Sequence, residues 1–280
     1  MSWNEIAGFG IAGNFTGHLE QAGEAQDFTA IKTNNSEAPK GIFPFYLPHL
    51  NTEHYLSTNP YSHDKLILLN DTDDHQIEPE MSILFSVKYD NNKIISLSPQ
   101  YAMAHNDCSI RRAGAKKISE KKNWGACSKG VSQQRIPIQN LSKGGILDHY
   151  QLTCFLRRDG ILHQYGITSP VKNYSYFYQQ LIAWSIDTLN EQKDHGPLED
   201  LSTWLEKAKH PETICISIGA TKYTEFGATT FLKAGDQSIV VLFDSRFQDT
   251  QSLKRHIQED TIMSLPNISV LSQAIVSPSS

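Results

Sequence analysis

Glu78 and Glu80 flank one proline in Ile77-Glu78-Pro79-Glu80-Met81, at the mouth of the apolar run 82–87. The run is short and reads as a buried strand. Residues i and i+2 of a strand project from one face, so the two carboxylates stand side by side. Like charges that close repel, and a fold tolerates them mainly when a cation sits between them. Asp107, 27 residues beyond Glu80, is a third candidate carboxylate. Three carboxylates with no sulfur or imidazole among them suit a hard ion, Mg²⁺ or Mn²⁺, which keeps open positions for substrate oxygens. For the Glu78/Glu80 pair taken alone, the plainer reading is a charged strand end.

Positioning these residues requires elements that the patterning supplies. Residues 80–97 read as a hairpin turning at Asp90-Asn91-Asn92. A second hairpin joins 152–156 to 161–165 through Asp159-Gly160, a strong turn signal. Residues 65–69, 214–218 and 238–243 read as further strands. Helical periods cover 175–190, a stretch opened by Pro197 and holding Leu198, Leu201, Leu205 and Ala208, and 250–263. Residues 32–41 and 49–64 read as loops, 43–48 as an extended proline-bearing segment, and 277–280 as a frayed tail. Strands outnumber helices without regular β-α alternation, which excludes a doubly wound sheet and leaves a mainly β, α+β class. Gly8-Phe9-Gly10-Ile11-Ala12-Gly13 spells a dinucleotide-type glycine pattern. The segment before it has little strand character and the one after it suits a helix poorly, so it reads as a glycine-rich turn instead.

Four segments in order resemble the fumarylacetoacetate hydrolase superfamily. Gly13-Asn14-Phe15-Thr16-Gly17-His18 is similar to its histidine motif, and Gln76 to Met81 to its metal strand. Asn106-Asp107-Cys108-Ser109-Ile110-Arg111 is similar to its third-ligand motif. The closing segment resembles Gly219 to Gly227 followed by Phe231-Leu232-Lys233-Ala234-Gly235-Asp236. The resemblance implies a β-roll with peripheral helices. It implies one catalytic domain over 1–245, with 1–50 as an amino-terminal lid or extension, and a helix and tail over 246–280 packed on it. It also implies metal ligands at Glu78, Glu80 and Asp107, a catalytic His18 and a substrate-facing Lys129. Arg111, Gly219 and Thr221 fall where substrate is bound. Glu20 or Glu24 would orient the imidazole, because the family's usual acid position holds Gln21. Arg112, Pro79 and Ile218-Gly219-Ala220-Thr221 also depart from the family pattern. The other lysines of 116–122 read as a solvated helix face.

The implied activity is Mg²⁺- or Mn²⁺-dependent hydrolysis of a carbon–carbon bond in a small oxo-acid such as an acylpyruvate or diketo acid. Decarboxylation, hydration or isomerisation at the same site is the alternative, and a degenerate binder of metal or ligand is the non-enzymatic one. Shorter members of the superfamily pair, so a homodimer is expected by analogy. The 280 residues, 39% apolar and 20% charged with a net charge of −5, allow ample core and argue against non-specific nucleic-acid binding. No apolar run approaches the about eighteen residues of a membrane span. Four scattered cysteines and no secretory-type amino terminus point to free thiols in the cytoplasm.

Overall fold

The hairpin that carries the glutamates organises the whole molecule. In the computed structural model, which describes every residue except 1, 32, 34, 36, 113, 279 and 280, it runs from Pro79 to Asn106. Positions 32, 34 and 36 of the expected loop and 279–280 of the expected tail lie outside the described residues. The strands are β1 (Ala7–Ala12), β2 (Gly41–Tyr46), β3 (Tyr61–Ser62), β4 (Lys65–Ile67), β5 (His75–Gln76), β6 (Pro79–Asp90), β7 (Lys93–Asn106) and β8 (Ser109–Ile110). They continue as β9 (Lys129–Val131), β10 (Ile136–Pro137), β11 (Tyr150–Arg158), β12 (Ile161–Pro170), β13 (Thr213–Ser217), β14 (Gln237–Asp244) and β15 (Ile268–Val276). The helices are α1 (His18–Gln21), α2 (Tyr178–Glu191), α3 (Leu201–Lys207), α4 (Glu225–Thr229) and α5 (Thr250–Gln258).

One sheet has the order β2-β1-β13-β6-β7-β9-β3, with β10 also on β7; a second has the order β12-β11-β14-β15-β4. The two pack face to face. Met81, Ile83 and Phe85 of β6 and Ala102 and Ala104 of β7 share one core with Leu152, Cys154, Val240, Leu242 and Leu271 from the second sheet. The alternate residues of β14, Ile239, Val241 and Phe243, meet Leu253 and Ile257 of α5 on the far side. Both faces of β14 are therefore buried, which is why its sequence is an unbroken apolar run. With 35% strand against 23% helix, the chain is mainly β: an α+β fold built on a curled β-roll with peripheral helices.

Several expectations change. Gly8 and Gly10 lie inside β1, not in a turn. A Cβ on Gly8 would collide with Phe45 and Tyr61, and one on Gly10 with Phe43, so the glycines let aromatic rings close over the strand. β1 sits between β2 and β13, and β2 ends the sheet, so 7–12 and 41–46 are sheet strands and not an extension. Pro44 is tolerated in β2 because that strand is an edge, and the side chain of Gln192 bonds the exposed N–H and C=O of Ile42 at 2.9 and 2.7 Å. Residues 268–276, placed in a tail by the sequence reading, form β15 between β14 and β4. Helix α3 starts at Leu201, four residues beyond Pro197, because the Asp200 side chain caps it through the Thr203 N–H.

A buried polar clamp fixes the turn that later supplies the site's lysines. Ser119, in the short 3-10 helix Ile118–Lys121, donates to Glu199, and the Tyr55 hydroxyl lies 2.6 Å from Ser119 Oγ. Burial pushes the Glu199 carboxyl up to about 7, against the pull of the Ser119 hydrogen bond. A raised acid favours the protonated fold, so the wild type loses stability as pH climbs from 4.5 to about 7. The loss is of order 3 kcal/mol at most. Glu199→Gln is expected to be near neutral at about pH 5 and stabilising at about pH 8 in urea unfolding. A variant less stable than wild type at the higher pH contradicts this reading.

Candidate active site

Glu78 and Glu80 sit where β6 begins, and Asp107 one residue past the end of β7. Strand pairing sets Pro79 opposite Asn106 and Glu80 opposite His105, so the hairpin's open end gathers all three acids. The Asp107 N–H donates to the Glu78 carbonyl at 3.0 Å, and Asn106 Oδ1 accepts from the Glu78 N–H at 3.2 Å. Pro79, having no N–H to offer the ladder, stands as the first residue of its strand. Ligand oxygens of Glu78, Glu80 and Asp107 lie within 4.8 Å of one another, and all three residues are buried.

Around the acids the chain sets its own cations. Lys122 Nζ lies 2.6 Å from Glu78 Oε2 and 2.6 Å from Asp107 Oδ2. Arg111 reaches Glu78 Oε1 and Glu24 Oε1, each at 2.7 Å, and Lys121 reaches Glu24 at 2.8 Å. Gln76 and the Tyr223 hydroxyl accept two further Arg111 N–H bonds, fixing the guanidinium plane. Burial alone would push Glu78 up, yet Lys122 and Arg111 hold its carboxyl well below the usual range. Glu80 goes the other way: burial, then Asp107 and Glu78, push it well above. Among the described residues its carboxylate accepts one hydrogen bond, from the Gly219 N–H at 2.9 Å. Gly219 has φ +114 and lies over Asn14, a backbone conformation that other residues rarely adopt.

His18 Nδ1 lies 3.0 Å from the Thr221 carbonyl. A carbonyl only accepts, so Nδ1 carries the proton and Nε2 keeps its lone pair. Nε2 is buried without a partner among the described residues, and burial lowers the imidazole's pKa, so the ring is neutral near pH 7. His18 lines one cavity together with Glu78, Glu80, Asp107 and Lys122, closed by Phe15, Leu19, Phe28, Phe43 and Ile118. Its volume is about 20 Å³, room for about one water but not for an oxo-acid.

Several expected residues lie elsewhere. Lys129 does not line the cavity. Fully buried behind Asp107, it donates to the Cys108 carbonyl at 2.5 Å and pairs with Asp107 Oδ1 at 3.0 Å, with Trp124 and Phe45 flanking it. Glu20 is exposed and does not bond His18, and Glu24 is engaged by Arg111 and Lys121, so the backbone of Thr221 orients the imidazole. Gly219 and Thr221 act as supports behind Glu80 and His18. Sequence reasoning missed Lys122, Lys121 and Tyr223. Three acids forced together called for cations, and the basic run at 116–122 was the nearest supply; reading it as a helix face hid that. Arg111 is buried among carboxylates that already occupy its fork.

The fold is that of the fumarylacetoacetate hydrolase superfamily. It is similar to 2-keto-3-deoxyarabinonate dehydratase, with 13% identity, TM-score 0.55, and coverage of 98% of this chain and 74% of that one. It is also similar to 5-carboxymethyl-2-hydroxymuconate delta-isomerase from Mycobacterium smegmatis, with 14% identity, TM-score 0.52, and coverage of 98% and 80%. No curated protein matches the chain in sequence. Residues 24–275 match a family of unknown function (DUF5718).

Proposed function

The chain belongs to that family of unknown function, and we propose that it is a divalent-metal-dependent enzyme acting on a small oxo-acid. The observation that carries the reading is one cavity lined both by three buried carboxylates and by a neutral histidine with a free Nε2. An all-oxygen donor set fits Mg²⁺ or Mn²⁺ better than zinc. Glu80, pushed toward protonation among like charges, is the carboxylate that such an ion would relieve. Glu78, Glu80 and Asp107 would hold it. When bound, the ion supplies Lewis acidity toward the oxygens of a 2-oxocarboxylate or 1,3-diketo unit.

The protein's own groups do the rest. His18 Nε2 takes a proton, and Thr221 holds the tautomer that leaves this nitrogen free. Lys122, which lines the cavity, would place positive charge beside developing negative charge. Aromatic and aliphatic side chains wall the acids on several sides. The wall formed by residues 13–28 is the segment that would move as a lid to admit a substrate.

With water as the proton donor to His18, the reaction is hydrolysis of a carbon–carbon bond next to a carbonyl. A second reading is isomerisation, decarboxylation or hydration of an oxo-acid at the same residues: His18 would take its proton from substrate in isomerisation and from water in hydration, and decarboxylation needs the Lewis acid but no attacking water. A small cavity favours isomerisation and decarboxylation within it, since these place no attacking water beside ion and substrate. Assays with an acylpyruvate, followed by its ultraviolet enol absorbance, and with oxaloacetate, followed by carbon dioxide release, separate the two. Turnover of either that requires Mg²⁺ or Mn²⁺ is expected. Silence on both, with oxalate still bound, overturns hydrolysis and decarboxylation and leaves isomerisation, hydration or a binding role.

A further inference from the structure

We propose that Lys122 is the resident cation of the carboxylate triad, and that a divalent ion binds Glu78, Glu80 and Asp107 only by displacing its ammonium, so that this one residue sets the metal affinity of the chain. The inference rests on the metal reading above and concerns what the ion has to compete with.

The geometry is that of a counter-ion already in place. Lys122 Nζ lies 2.6 Å from a carboxylate oxygen of Glu78 and 2.6 Å from one of Asp107, and it is 3.3 Å from the Asp107 carbonyl. The side chain is 3% exposed, so this is a buried three-way contact and not a surface pair. The Phe43 ring, 5.2 Å from the nitrogen, packs on its open side. A Mg²⁺ ion needs oxygens at about 2.0–2.1 Å. An ammonium held between the same two carboxylates fills the space that such an ion would take.

Charge balance points the same way. Glu24, Asp27, Glu78 and Asp107 face Arg111, Lys121, Lys122 and Lys129 through close ion pairs. Counting Glu80, five carboxylates face four cations. Adding a 2+ ion leaves one excess positive charge in a buried site, and moving one ammonium out of the triad removes it. Of the four cations, Lys122 is the one that both bridges two triad acids and lines the cavity. Arg111 and Lys121 are tied to Glu24, and Lys129 lies behind Asp107.

The test is Mn²⁺ binding to the full-length protein, read from loss of the free-ion electron paramagnetic resonance signal. Lys122→Met is expected to bind one Mn²⁺ at least about tenfold more tightly than wild type, because the competitor is gone. Lys122→Arg, which keeps the charge, is expected to bind no more tightly than wild type. In chelator, Lys122→Met should melt below wild type and recover on adding Mn²⁺. Should the methionine variant fail to fold, Lys122→Gln, whose amide can still donate to Asp107, carries the same comparison. Equal Mn²⁺ affinity in wild type, Met and Arg variants overturns the role of Lys122 while leaving the metal site standing. No Mn²⁺ binding by any of them at millimolar concentration overturns the metal reading, and this inference with it.

Discussion

Arg111→Met is expected to cost about 3–5 kcal/mol of folding stability in metal-free buffer, the usual penalty for removing one partner of a buried ion pair. Arg111 serves Glu78 and Glu24 at once, at 2.7 Å each, and its side chain is only 10% exposed. Without it, Lys122 still pairs with Glu78 and Lys121 with Glu24, but Glu78 Oε1 loses its cation and the Tyr223 hydroxyl its donor. The effect depends on pH with a definite sign. Lys122 and Arg111 outweigh burial and hold Glu78 below its ordinary 4.5. The wild type therefore keeps this contribution at neutral pH and loses it as pH falls below about 4.5 toward the folded value. Urea unfolding at neutral and acidic pH should show the gap between wild type and variant narrowing as the solution is acidified. A control at the exposed Lys93–Glu191 pair should change little. A loss under about 1 kcal/mol at neutral pH would mean that the buried network is not formed in solution.

His18→Ala is expected to lower turnover of the oxo-acid substrate by roughly 10²–10⁴-fold while leaving Mn²⁺ affinity near wild type. The imidazole is not a ligand in this account. Its Nδ1–H is spent on the Thr221 carbonyl, and only Nε2 is free to take a proton. Glu20→Gln should be silent, because Glu20 is exposed and does not touch the ring. Glu24→Gln should lower stability through Arg111 and Lys121 instead of altering the histidine's tautomer. Loss of turnover in Glu20→Gln as deep as in His18→Ala would restore the carboxylate–histidine dyad that the superfamily pattern implies. Unchanged turnover in His18→Ala would leave the histidine as a buried structural residue.

The residues governed by local rules were legible from sequence. Two-residue periodicity put Glu78 and Glu80 on one face, and Asp159-Gly160 marked a hairpin whose turn residues indeed take positive φ, +52 and +76. Ordered motifs located Asp107 and His18. What sequence did not reveal depends on distant chain segments meeting. β1 pairs in parallel with β13, Ala7 opposite Ile214, and β4 with β15, Lys65 opposite Ala274; no periodicity encodes such neighbours. The choice between lysines failed for a related reason. Lys129 matches the superfamily pattern by position, yet strand β9 buries it behind Asp107, and the turn clamped by Ser119 and Glu199 sends Lys122 into the cavity. A run of basic residues looks alike in sequence whether it faces water or acids. Only the burial of the acids, which have no other source of compensation, tells the two apart.

The most direct test of the central claim is anomalous scattering from a crystal soaked in Mn²⁺ and oxalate. The account predicts one strong peak ligated by carboxylate oxygens of Glu78, Glu80 and Asp107, with oxalate completing the coordination and Lys122 withdrawn from between Glu78 and Asp107. Saturating Mn²⁺ with no peak at the triad, and Lys122 still bridging the two acids, would contradict it.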